Sequence, residues 1–178
     1  IVAVLAANPS VAFAEPDYVA RPALTPNDPQ YNQQWGLTKI GAPAAWDVST
    51  GSSSVVIATV DSGIDLSHQD LLNRLWANSG ETPGNGADDD GNGLIDDING
   101  WNFVGGSNDV ADDNGHGTQV AGIAGAATNN GQGIAGVCWN CRLMPVKVMQ
   151  ASGAVNYSDI AAGVAYAGDE GQRLLQVS

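Results

Sequence analysis

The stretch Val55-Val56-Ile57-Ala58-Thr59-Val60-Asp61-Ser62-Gly63 decides the fold. It follows the turn-forming run Gly51-Ser52-Ser53-Ser54 and is nearly continuous in β-branched residues. A strand that is apolar on both faces is buried on both faces, as a central parallel strand is. It ends at Asp61, which places a carboxylate at the carboxyl end of a strand, where sites form in open α/β sheets. Downstream, His116-Gly117-Thr118 opens an apolar run, Val120–Ala127, that fits a tightly packed helix. Gly122 and Gly125 would allow close backbone approach there, at a cost in helix propensity. Leu143–Met149 reads as a second strand, with Pro145 tolerable only near an end or edge. Tyr157–Ala167 reads as a helix with Ile160, Val164 and Ala167 on one face and Ser158 as its cap. Arg173–Ser178 reads as a third strand. Strands alternating with helices imply a mostly parallel α/β sheet with right-handed crossovers.

The rest of the chain is less regular. Pro16, Pro22, Pro26 and Pro29 mark a linker or extended arm. Trp35–Trp46 supplies apolar anchors in irregular surroundings, and Glu81–Gly115, rich in Gly, Asn and Asp, reads as loops. The 178 residues carry 6 Lys or Arg against 19 Asp or Glu, a net charge of -13, which excludes a general nucleic-acid binder and argues against docking on an anionic membrane. No stretch approaches the ~18 apolar residues of a membrane span. With 43% hydrophobic and 14% charged residues the chain is not a disordered acidic tail. Cys138 and Cys141 form one C-x-x-C, read as an inert buried pair or a local disulfide.

An Asp at a strand end can orient an imidazole and stabilise its charged form. His116, between two glycines at the start of a helix, is the candidate imidazole; His68 is the other histidine. Asp61 and His116 lie 55 positions apart, so spacing alone leaves a structural role for each open.

Motif context adds to this. Val60-Asp61-Ser62-Gly63-Ile64, His116-Gly117-Thr118-Gln119-Val120-Ala121-Gly122 and Gly133-Ile134-Ala135-Gly136-Val137 follow one another in order. With Trp35-Gly36-Leu37 and Ile40–Trp46 they resemble the subtilisin-like serine proteases over essentially the whole chain. The resemblance implies a three-layer α/β fold with a mostly parallel sheet, incomplete in this chain, and an endopeptidase using an Asp-His-Ser triad. It makes Asp61 and His116 catalytic. The family's serine, in a G-T-S-M-A-type segment, and its oxyanion Asn are expected downstream of residue 178, so these residues alone are expected to be inactive. Residues 1-22 resemble the tail of the inhibitory propeptide and residues 23-178 the first part of the catalytic domain. That implies a secreted, extracellular zymogen whose own propeptide inhibits it. Met149, Gly153, Ala154, Val155 and Ser178 match positions that pair with extended polypeptide substrate, and Gln119 replaces a second, non-catalytic His.

The acid has its own pattern. Eight Asp fall between Asp88 and Asp113, with no Lys or Arg among them. Asp88–Asn99 resembles an EF-hand loop without its final Glu. Asp88, Asp90, Asn92 and Asp96 are the candidate calcium ligands, with Asp97 and Asn99 as alternates, because packed carboxylates need a cation or protonation. The family resemblance implies a second calcium site from the side chains of Asp28, Asp70 and Asn130 and the carbonyls of Thr128, Gln132 and Ile134. Two rival readings remain: an aspartic protease, for which a single D-S-G and alternating helices are wrong, and a non-catalytic calcium-binding protease-like module.

Overall fold

The computed structural model describes residues 2–14, 24–172 and 174–178. In chain order its elements are α1 (Val2–Ala6), α2 (Trp35–Lys39), α3 (Ala42–Trp46), β1 (Val56–Asp61), β2 (Trp101–Asn102), α4 (His116–Gly125), β3 (Arg142–Lys147), α5 (Tyr157–Asp169) and β4 (Leu174–Val177). The described strands form one parallel sheet in the order β2-β3-β1-β4, so the β-branched run is an inner strand, as its composition requires.

Alternation along the strands sorts the sheet's two faces. Ala58 and Val60 of β1 and Met144 and Val146 of β3 pack with Tyr166 and Ala167 of α5. Ile57 and Leu143 face the other way, against Ala121 of α4, Ile64 and Leu71. Helices therefore cover both faces, giving a three-layer α/β/α arrangement. By the same alternation Asp61 and Lys147 lie on the α4 face. A third cluster joins Leu37, Ala42 and Trp46 to Ala135 and Trp139, and the Trp46 indole donates to the Val137 carbonyl at 2.8 Å.

Three local expectations are corrected. Trp35–Trp46 is not irregular: it forms α2 and α3, separated by Ile40 and Gly41 and with Pro43 in the first turn of α3, where its missing N–H costs nothing. Ser158 does not cap α5; the helix begins at Tyr157 with Asn156 at the N-cap, whose side-chain amide bonds Asp159 instead. Pro145 is neither at a strand end nor on an edge strand. It pairs with Thr59 of β1 through its position in the middle of β3. Its nitrogen and carbonyl face the other side, toward Gly100, one residue before β2 begins. A Cβ at Gly100 would lie 1.9 Å from the Pro145 oxygen, and β2 pairs with β3 only from Val146 onward, so the absent N–H lies just before the paired stretch.

Residues 8–14 form turns and bends, while the expected boundary at residues 22 and 23 lies outside the described residues, as does Arg173 of the third strand. Among the described residues no helix is long and apolar enough to cross a membrane. Cys138 and Cys141 are joined in a disulfide that closes the turn carrying Trp139.

Candidate active site

Asp61 is the last residue of β1 and fully buried. Its Oδ1 accepts the Ser62 N–H at 2.7 Å, and its backbone carbonyl accepts the N–H groups of Val148 and Met149. Both carboxylate oxygens lie against His116 Nδ1, at 2.8 and 2.9 Å. His116 is the first residue of α4 and keeps about half its side chain in solvent. One edge of the ring is held by a buried carboxylate while the other part remains accessible. That is the geometry of an imidazole whose Nε2 is free to take and return a proton.

The turn into α4 makes this meeting possible. Gly115 serves as N-cap at φ +98°, a conformation that a side chain rarely adopts. Gly117 packs directly on the turn after β1: a Cβ there would fall 2.2 Å from the Gly63 carbonyl oxygen. Asp112, not singled out from the sequence, organises both segments. It accepts the Ser62 hydroxyl at 2.8 Å, the Gly115 N–H at 2.8 Å, and the Thr118 N–H and hydroxyl at 2.9 and 2.5 Å. The Ser62 hydroxyl in turn accepts the Gly117 N–H. Partial burial works against a charge on Asp112, but the Thr118 hydroxyl and the backbone N–H groups of Gly115, Asn114 and Thr118 outweigh it and hold the carboxyl far below its ordinary value.

The residues matched to substrate binding gather at the same end of the sheet. Met149 is half-buried and forms an antiparallel bridge with Val155. Between them Gly153 and Ala154 are exposed; the Gly153 N–H closes the turn on the Gln150 carbonyl, and the Ala154 carbonyl accepts from Gln150. Asn114, just before His116, donates to the Ala151 carbonyl and ties this loop to the histidine. Ser178 follows β4, whose Val177 pairs with Val60, so it stands level with Asp61. No serine in the sequence stands in a G-T-S segment.

The acidic loop differs in detail from its sequence pattern. Asp90 and Asp97 come together with Glu81, which the pattern did not include; one carboxylate oxygen from each lies within 4.8 Å of the others. Glu81 and Asp97 are buried. Asn78 donates to both Asp90 and Asp97, Asn92 donates to the same two, and the Tyr166 hydroxyl donates to Asp97 at 2.6 Å. Burial, with the bond to Asp97, raises the Tyr166 phenol strongly. Burial also raises Glu170, which lies near the charges of Asp97 and Asp90. Asp88 accepts the N–H groups of Gly91, Asn92 and Gly93, Asp96 those of Gly84, Asn85 and Gly86, and Asn99 donates to the Trp76 carbonyl. The cluster of Glu81, Asp90 and Asp97 offers hard oxygen donors and excess negative charge, and could hold a metal ion.

Of the second expected ligand set, Asp28 and Asp70 both bond to Asn130. Asp28 and Asp70 are buried. Asp28 accepts the N–H groups of Asn129 and Asn130, and Asp70 accepts the Asn130 side-chain amide at 3.0 Å and the Ile134 N–H at 3.1 Å. The Gln132 N–H donates to Asn130, while the Thr128 hydroxyl donates to the Ala126 carbonyl. Residues 27–30 are thereby fastened to the loop after α4.

Against known proteins, residues 52–178 match the family model described as Subtilase family, Peptidase S8. The chain is 38% identical to a "Thermophilic serine proteinase" of Bacillus sp. (strain AK1), an alignment spanning 100% of this chain and 39% of that protein. It is 38% identical to an "Extracellular protease" of Xanthomonas campestris pv. campestris, over 92% of this chain and 29% of that one. A solved protease from Pseudoalteromonas arctica PAMC 21717 superposes with a TM-score of 0.60 at 32% identity, covering 81% of this chain and 44% of that chain. The chain thus spans well under half the length of these relatives.

Proposed function

Because the chain belongs to the subtilase family, we propose that the full-length protein is a secreted serine endopeptidase and that Asp61 and His116 are two members of its triad. The observation that carries this is the buried Asp61 carboxylate on Nδ1 of a half-exposed His116. His116 takes the proton of a serine hydroxyl supplied from outside these 178 residues as that hydroxyl attacks the scissile carbonyl. It then returns the proton to the leaving amine. Asp61 fixes the ring tautomer and stabilises the imidazolium. Extended polypeptide substrate lies along Gly153–Val155 by strand addition, with Met149 lining an apolar pocket and Ser178 on the facing strand. The extracellular location follows the relative named for it. Residues 1–22 act as the tail of an inhibitory propeptide, which N-terminal sequencing of the secreted protein checks: the mature chain should begin near residues 23–27.

We also propose that calcium is the metal. Glu81, Asp90 and Asp97 would hold one ion beside Asn92, and Asp28, Asp70 and Asn130 a second, with carbonyls from Thr128, Gln132 and Ile134. Calcium would supply charge neutralisation and cross-linking of loops, with no part in the chemical step. The activity reading is tested by peptide hydrolysis. Wild-type full-length protein should cleave a casein-derived peptide, and H116A should lose roughly 10⁴-fold or more in kcat. Cleavage that survives H116A would sink it in favour of a non-catalytic, calcium-binding protease-like module with a contaminating activity.

A further inference from the structure

Lys147 ends β3, whose other charged residue is Arg142 at the opposite end, and its side chain is only 4% exposed. Burying an ammonium is costly unless it is paired and hydrogen-bonded. Its partners are specific. Nζ donates to the Ser62 carbonyl at 2.6 Å and to Asp113 Oδ1 at 2.5 Å. Across the sheet Lys147 is the register partner of Asp61 itself. The carbonyl it holds belongs to Ser62, whose own N–H donates to Asp61 Oδ1 and whose hydroxyl bonds Asp112. The carboxylate it holds belongs to Asp113, three residues before His116.

The ammonium thus joins the turn that carries the acid to the loop that delivers the imidazole. Asp112 makes a parallel connection, but through the Ser62 side chain and the first turn of α4. Lys147 acts on the backbone of the turn and on the loop upstream of the helix. An apolar side chain of similar length would fill the same space without fixing either partner.

We propose that Lys147, with Asp113, is a positioning residue that sets the distance and angle between Asp61 and His116. It touches neither substrate nor the reacting atoms. This deepens the protease reading, and only its kinetic arm rests on that reading.

The test uses the full-length protein with two readouts. The first is the far-downfield proton resonance of the His116–Asp61 hydrogen bond, which needs no activity. The second is the separation of kcat from KM. In K147M that resonance should shift or broaden beyond detection, kcat should fall about 10- to 100-fold, and KM should stay within about twofold, because a small misplacement of reacting groups costs rate rather than binding. K147R keeps the charge and should recover part of the rate. D113N, at a half-exposed position, keeps the fold even if K147M does not, and should move the same resonance and lower kcat several-fold. An unchanged resonance and unchanged kcat in a folded K147M or in D113N would overturn the proposal. A shifted resonance in a protein that cleaves no peptide would leave the positioning role standing and count against the protease reading alone.

Discussion

The two carboxylate-rich regions of this chain reach opposite electrostatic solutions. Around Asp61 the charges are matched: a histidine on one carboxylate, a buried lysine on another, and several donors on Asp112. Around Glu81, Asp90 and Asp97 three acids converge, and among the described residues amides and a phenol face them. The first region is organised by the protein's own groups, as a site that must hold an imidazole steady should be. The second holds repulsion that a divalent cation would relieve. The contrast shows that the net charge of -13 is not one property: part of it is paired inside the fold, and part is gathered without a cationic side chain to face it.

The largest effect that could break this contrast is at Asp61. D61N leaves the ring a hydrogen-bonding partner but allows the wrong tautomer, and should lower kcat of the full-length enzyme by about 10⁴. Next is Asp112. D112A would orphan donors on Ser62, Gly115 and Thr118 together, and should cost on the order of 3 kcal/mol in chemical denaturation. Its pH dependence has a definite sign. The folded carboxyl lies below its ordinary value, so its contribution to stability is complete above about pH 4 and is lost as pH falls from there toward the folded value. Acid titration of the unfolding midpoint should therefore be shallower in D112N than in wild type.

Chelation should lower the melting temperature by an amount matching about 2.7 kcal/mol if calcium is present near 100 times its dissociation constant. E81Q/D97N should reduce that response, while D61N should leave it intact. An equal response in E81Q/D97N would erase the contrast between the two regions. The smallest effect is at Thr59, whose buried hydroxyl has no partner among the described residues. T59V should be neutral or stabilising by under about 1 kcal/mol, because nothing is left unpaired.

Much of this was legible in the amino-acid order, for reasons that differ by element. Val56–Asp61 was readable because a strand buried on both faces must be apolar throughout. His116 was readable from its glycine neighbours and motif. The short helices α2 and α3 were not, since five residues are too few for a periodic pattern to show. Glu81 escaped notice because it lies seven residues before Asp88 and joins the cluster only when the chain folds back, with the Asn78 N–H on the Ile98 carbonyl. Lys147 was visible as a charge in an apolar strand, but its partners, 85 and 34 residues away, were not. Pro145 was misplaced because the side of the strand facing Gly100 is set by tertiary contact, not by local preference.

The central claim is that Asp61 and His116 activate a serine carried elsewhere in the full-length protein. The most direct measurement is covalent labelling by a serine-directed fluorophosphonate, followed by peptide mapping, in wild type and H116A. Wild type should give a single adduct on a serine beyond residue 178, formed more slowly by about a hundredfold or more in H116A. No adduct in the wild type, or an adduct that forms equally fast in both, would contradict it.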